Sequence, residues 1–159
     1  MLFLNISDTD RTFDRLANVF HTQALQLLCS LADSNTDGRL KVPVRIILDD
    51  FASSAIIPDF DKTISIIRSR EISVSIILQS LTQLETLYAP PVATTIINNC
   101  DHILYLGCQD IHTASYIGQR LGQLPESVLA MPRDLAVLIT GGEMGKVVKK
   151  ILPYSTLAR

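Results

Sequence analysis

Tryptophan is absent from these 159 residues, and the nine Phe and Tyr make up only 6% of the chain. So sparse a set does not build the stacking platform on which proteins grip single-stranded nucleic acid. An excess of either charge is missing as well: 14 Lys and Arg stand against 16 Asp and Glu, a net of −2. No global field therefore draws the chain to DNA or to an anionic membrane surface. Cysteine is scarce, and Cys29, Cys100 and Cys108 are far apart, with no Cys-x-x-Cys pair. They fit no zinc framework and cannot all pair within one chain, so they read as small buried hydrophobes in a reducing compartment. His21, His102 and His112 are equally scattered and suggest no metal centre. No apolar run approaches the ~20 residues that cross a bilayer, and Met1 to Asn5 is too short for a signal peptide's apolar region. The expectation is a cytoplasmic chain with no membrane insertion of its own.

A phosphate loop is missing too. No Gly-x-x-x-x-Gly-Lys-[Ser/Thr] occurs, and none of the seven glycines sits in a strand-to-helix phosphate loop. Gly142-Glu143-Met144-Gly145-Lys146 has the Lys but lies between two strand patterns, with no helix N-terminus to face a phosphate. It reads as a hairpin turn.

Apolar residues, in contrast, reach 47%, enough for one domain with a substantial core. Leu2 to Ile6 reads as a strand, and Ser7-Asp8-Thr9-Asp10 as the cap of a long helix from about Arg11 to Leu31. Phe13, Leu16, Ala17, Phe20, Ala24, Leu27, Leu28 and Leu31 recur at helical steps and define its expected buried face. Asn35 to Gly38 is a turn. A strand from Val44, a helix from about Asp59 to Arg70 and a strand from Ile72 follow. After a short helix, Pro90-Pro91 should break the chain before a helix over Val92 to Asn98. Then come a strand, His102 to Leu106, and a helix, Ile111 to Leu121, capped by Gly122. A loop spans Pro125 to Pro132, and a hairpin joins Leu135–Ile139 to Lys146–Leu152. Lys146, Lys149 and Lys150 would charge its edge and discourage edge-to-edge pairing. Helices alternating with single strands predict an α/β fold: one domain over 1–159, with a mostly parallel sheet and an antiparallel edge hairpin.

The chemistry sits at two strand ends. Val44-Arg45-Ile46-Ile47-Leu48 is the pattern of a strand covered on both faces, and it stops at Asp49-Asp50-Phe51. Ligands gather beyond the carboxyl ends of such strands. Two acids there can hold a divalent cation through water and orient an attacking water. The next strand, Ile72 to Leu78, ends in Gln79-Ser80, and a primary amide can accept from a water and donate to a phosphate oxygen. Taken singly, Asp50 reads as a turn residue and Gln79 as a helix cap. The succession of acid pair and amide on consecutive strand ends favours a nucleotide site.

Several motifs in order carry a family resemblance. Asp8-Thr9-Asp10-Arg11, Val44 to Phe51, Ile57-Pro58-Asp59-Phe60, Arg68-Ser69-Arg70, Ile77-Leu78-Gln79-Ser80 with Gln83-Leu84, and Asn98-Asn99-Cys100-Asp101 before Leu106-Gly107 resemble the TraG/TraD family. These are the coupling proteins of conjugation and type IV secretion. The resemblance implies the carboxyl-terminal part of a RecA-like ATPase domain, with helices on both sheet faces, in the region associated with relaxosome recognition. It further implies a piece of a longer protein, with the membrane helices and phosphate loop upstream of Met1. The parent would form a hexameric ring at the cytoplasmic face of the bacterial membrane. Using ATP and Mg2+, it would move single-stranded DNA with its relaxase toward the channel and its ATPases.

By position, the resemblance places Asp49 on the magnesium shell through water and Asp50 where a catalytic Glu usually stands. Asp for Glu is a departure that retracts the carboxylate by about one methylene. Gln79 would contact the attacking water or terminal phosphate. Arg68 would serve a neighbouring subunit as an arginine finger, with Arg70 the fallback. This chain by itself is expected to be inactive and to hold no nucleotide tightly. Two other readings remain open. One is a non-catalytic module that docks relaxosome proteins. The other is a phosphorylated receiver domain, against which the order of acids counts, because Asp8 precedes the pair by a strand and a long helix.

Overall fold

The computed structural model describes residues 1–5, 11–52 and 56–151. Asp8 and Asp10, expected to cap the first helix, lie outside the described residues. Two compact units emerge, one of Met1–Gln79 with Gln83–Asn99, the other of Ser80–Thr82 with Cys100–Arg159.

In the first unit a 3-10 turn, Arg11–Phe13, leads into α1 (Asp14–Asp33). Strand β1 (Val44–Leu48) is followed by α2 (Phe60–Ile66), which tightens into a second 3-10 turn, Ile67–Arg70. Next come β2 (Ile72–Ile76), α3 (Leu81–Tyr88) and α4 (Pro90–Asn98). β1 and β2 pair in parallel, Val44 opposite Ile72 through Leu48 opposite Ile76. Their core is aromatic as well as aliphatic: Phe51, Phe60, Ile64, Leu84, Tyr88 and Ile96 are buried.

Four expectations change here. Leu2 to Ile6 was to be a strand, yet residues 1–5 carry no regular structure, and Leu2 and Phe3 are exposed. A strand persists only beside a partner that takes up its backbone hydrogen bonds, and nothing in the described chain pairs with this segment. The α1 face is turned from its expected setting: Ala17, Leu25 and Ala32 are buried, whereas Phe13, Leu16, Phe20, Leu27 and Leu31 are exposed. The helix is apolar around more than half its circumference, so periodicity alone selected the wrong edge of a wide stripe. β1 is covered on one face only, with Ile47 64% exposed. Finally, Pro90 opens α4 instead of preceding it. The first helical position needs no N–H and suits the fixed φ of proline.

In the second unit β3 (His102–Tyr105), β4 (Leu135–Thr140) and β5 (Lys146–Lys149) form an antiparallel sheet in the order β3-β4-β5. Antiparallel pairing thus extends beyond the expected hairpin to include β3. α5 (Ile111–Leu121) and α6 (Pro125–Leu129) belong to this unit, and Tyr105, Ala114, Ile117, Val128, Val137 and Ile139 make its core. Gly122 takes φ +67° and ends α5 as expected. The expected loop from Pro125 to Pro132 contains α6, whose five residues opened by Pro125 are too few for periodicity to reveal. Lys150 does more than charge an edge: its Nζ donates to the carbonyls of Leu106 (2.7 Å) and Arg133 (2.9 Å).

α5 starts on a well-made cap. Asp110 Oδ2 accepts from the Thr113 N–H (2.8 Å) and hydroxyl (2.6 Å), and Oδ1 accepts from the Thr82 hydroxyl (3.0 Å). The Thr113 hydroxyl bond, more than any other contact, holds the Asp110 carboxyl below the ordinary carboxylate range. A group depressed in this way stabilises the fold above its unfolded pKa, and that stability is lost as pH falls through the lower, folded value. Asp110→Ala is expected to lower stability by about 1–2 kcal/mol in urea titrations at neutral pH, the usual cost of a lost cap. The difference should shrink toward acid.

Candidate functional site

Sequence patterning positions Asp49, Asp50 and Gln79 with little freedom. β1 and β2 run side by side in the same direction, so their carboxyl ends, and the polar residues just past them, emerge together. In this ladder alternate β2 residues bridge two β1 residues: the Val44 N–H, for instance, donates to the Glu71 carbonyl. By the same register, Ile77 should donate to Leu48 O and accept from residue 50. The first bond forms at 3.0 Å, but Ile77 O accepts instead from Phe51 N–H at 3.1 Å. One extra residue is therefore accommodated on the β1 side. This is a bulge in a parallel pair, a device that re-aims a side chain at the cost of a ladder bond.

The acids make that bulge possible. Asp50 takes φ +49°, a left-handed conformation that Asp tolerates better than most L residues. Its N–H, displaced from the ladder, donates to Asp49 Oδ1 at 3.0 Å. Asp49 thus satisfies the backbone group that Asp50 gives up. Phe51 then turns inward, 3% exposed, with its ring 4.9 Å from Phe60 and stacked on Tyr88 at 5.6 Å. The bulge is held between a ladder bond and a buried ring.

Gln79 reaches the pair: its Nε2 donates to Asp50 Oδ1 at 3.3 Å. Gln83, one turn into α3, donates from its own Nε2 to Gln79 Oε1 at 3.2 Å. That contact was missed; the only signal for it was the four-residue step from Gln79 to Gln83. Asp49, Asp50, Gln79 and Gln83 are all exposed, so the cluster is open to a ligand.

Arg68 is not brought to these residues. It lies in the 3-10 turn that enters β2, beyond the amino end of the strand, and five residues of strand span about 17 Å. Within one chain it cannot reach the acids, so any role there is in trans. Arg70 is committed elsewhere: Nε and Nη2 grip Asp33 Oδ1 and Oδ2 at 2.9 and 3.2 Å, and Nη1 donates to Ile66 O. A groove of about 350 Å3 lined by Leu25, Cys29, Asp33, Thr63 and Ile66 holds none of the acid–amide residues. Burial pushes the Cys29 and Cys100 thiols up, away from nucleophilic character.

The donor set fits a magnesium ion only in part. Two neighbouring hard carboxylates suit a hydrated Mg2+ held through one of its waters. Among the described residues no three or more His, Cys, Asp or Glu converge into a cage. The cradle of backbone donors that a triphosphate needs is not part of this cluster.

Tyr88, behind the bulge, carries its own signature. Its hydroxyl accepts from the buried Ile57 N–H at 2.9 Å. Desolvation pushes its pKa up to about 12. A raised tyrosine pKa stabilises the fold fully below the unfolded value near 10, and that contribution is lost as pH climbs toward 12. Alkaline unfolding, followed by tyrosinate absorbance and circular dichroism, should therefore begin above about pH 10 and lose this component in Tyr88→Phe. That variant should also be about 1–3 kcal/mol less stable at neutral pH, because Ile57 N–H loses its acceptor.

The model for the family described as the TraM recognition site of TraD and TraG matches residues 43–129, more than half of the chain. The chain belongs to this family. The match runs from just before β1 to the end of α6 and includes both acids, Arg68, Gln79 and Gln83. Solved structures agree in fold. The plasmid coupling protein TrwB with a non-hydrolysable GTP analogue is 17% identical, covers 86% of this chain and superposes with a TM-score of 0.68. An unbound form of the bacterial conjugative coupling protein TrwBΔN70 (16%, 86%, 0.67) and TrwB with ADP and Mg2+ (16%, 86%, 0.66) are similar. At such identities the likeness establishes the RecA-like α/β architecture. The chain spans 37–38% of the length of these structures. No curated protein matches it. Among the described residues no helix is long and apolar enough to cross a membrane.

Proposed function

We propose that this chain is the acid-and-amide side of the nucleotide site in a conjugative coupling ATPase. That parent moves single-stranded DNA and its relaxase toward a type IV secretion channel. The observation that carries this reading is the bulge, which presents the Asp50 carboxylate to Gln79 at the carboxyl ends of adjacent parallel strands. In this reading Asp49 orients a water of the hydrated magnesium ion. Asp50 aligns the attacking water and takes its proton, and Gln79 reports on the terminal phosphate. Arg68 acts on the site of a neighbouring subunit in a six-membered ring, where its distance from its own acids is no obstacle. Bound Mg2+·ATP supplies the bond to be cleaved. The phosphate loop, and the anchor at the cytoplasmic face of the membrane, come from other parts of the parent.

ATP turnover by this chain and by a longer coupling protein that carries it tests the reading. An inactive chain with an active longer protein supports it. Turnover by this chain alone would mean a complete site of another kind. A second reading has its own support, because the matched family is described as a TraM recognition site. In that case the surface docks relaxosome proteins and the acids are idle. A longer protein inactive even with DNA and membrane present would favour it.

A further inference from the structure

Gln79 and Gln83 form a hydrogen-bonded series whose direction is fixed by chemistry. A carboxylate only accepts, so Asp50 Oδ1 must face the Gln79 NH2. That leaves the Gln79 carbonyl toward α3, where it needs a donor, and Gln83 supplies one at 3.2 Å. Both residues are exposed, and these two bonds orient the Gln79 amide. Resting on the reading above, we infer that Gln83 is a positioning residue that sets the polarity of the Gln79 amide. It keeps the donor on Asp50 and the acceptor on the first turn of α3.

The consequence is that the ends of the Gln79 amide are assigned. One hydrogen of its NH2 is on Asp50 and one lone pair of its carbonyl is on Gln83, which leaves a second hydrogen for a phosphate oxygen and a second lone pair for a water. The Gln83 bond thus sets which end of the amide meets which ligand. Loss of one such bond is a modest effect, about 1 kcal/mol or roughly fivefold. Reversal of the amide is larger, because it sets the Gln79 carbonyl against the Asp50 carboxylate.

Two substitutions separate these effects. Gln83→Met keeps the length and removes the donor, whereas Gln83→Glu is acceptor-only at neutral pH and draws the Gln79 NH2 away from Asp50. In nitrogen–proton NMR spectra of this chain, the Gln79 side-chain amide pair is expected to shift in Gln83→Glu and to exchange faster with water in Gln83→Met. In the longer protein, turnover is expected to fall about fivefold in Gln83→Met and further in Gln83→Glu. Neither change should add to Gln79→Met, since Gln83 acts through that amide. Thermal midpoints within a degree or two of the parent would confirm that both variants fold. Unmoved Gln79 resonances, or Gln83 effects that persist in the Gln79→Met background, would overturn the inference and leave the nucleotide reading standing. Turnover insensitive to Gln79→Met would instead remove the reading itself, and the inference with it.

Discussion

Asp50→Asn is expected to lower ATP turnover of the longer coupling protein by at least about 100-fold while leaving its stability almost unchanged. The two halves of that expectation come from different features of one residue. Asp50 is left-handed at φ +49°, and Asn accepts that conformation at least as readily, so the bulge persists. The amide oxygen of Asn can still receive the Gln79 NH2 in place of Oδ1. What is lost is the negative charge and the ability to take a proton from water. Asp50→Gly completes the comparison, because glycine has no penalty at positive φ. It should fold no less well than the parent and be equally inactive. Turnover assays beside urea titrations separate chemistry from folding. A coupled loss of stability in Asp50→Asn would mean that the carboxylate holds the turn and does little else.

Phe51→Ala carries the largest expected loss of stability, about 3–5 kcal/mol by urea denaturation. The ring is 3% exposed and packs against both Phe60 and Tyr88, and alanine leaves a cavity beside them. A domain with roughly 5–15 kcal/mol in hand would lose much of it. Phe51→Leu keeps most of the volume and should cost less than half as much. The same substitution also reaches the site. Phe51 N–H closes the bulge on Ile77 O, and the buried ring keeps that N–H in place. A loosened residue 51 frees the left-handed Asp50 to relax, so turnover should fall further in Phe51→Ala than in Phe51→Leu.

The sequence declared the parts of the fold that depend on local pattern. β1, β2 and the glycine-rich hairpin are short apolar runs bounded by turn residues, and α5 is closed by a glycine after its last turn. The residues at the two strand ends could be placed side by side because consecutive parallel strands bring their carboxyl ends together. The failures have physical causes. A pattern such as Leu2 to Ile6 specifies willingness to pair and not the presence of a partner. α1 is so broadly apolar that its buried edge is chosen by its neighbours, and Leu25 and Ala32 are recognisable only once packing is known. The bulge is a matter of register between strands, visible only where Ile77 O binds Phe51 N–H. Gln83 escaped notice because an exposed Gln on a helix is ordinary until its partner is located.

The most direct test is the position of the terminal phosphate. A crystal structure of the longer protein with Mg2+ and a non-hydrolysable ATP analogue would fix it against the β1–β2 edge. The account predicts Asp49 bonded to a magnesium-bound water, and the Gln79 amide within about 3 Å of a phosphate oxygen or the poised water. A triphosphate seated elsewhere, out of reach of Gln79 and with no magnesium beside Asp49, would contradict it.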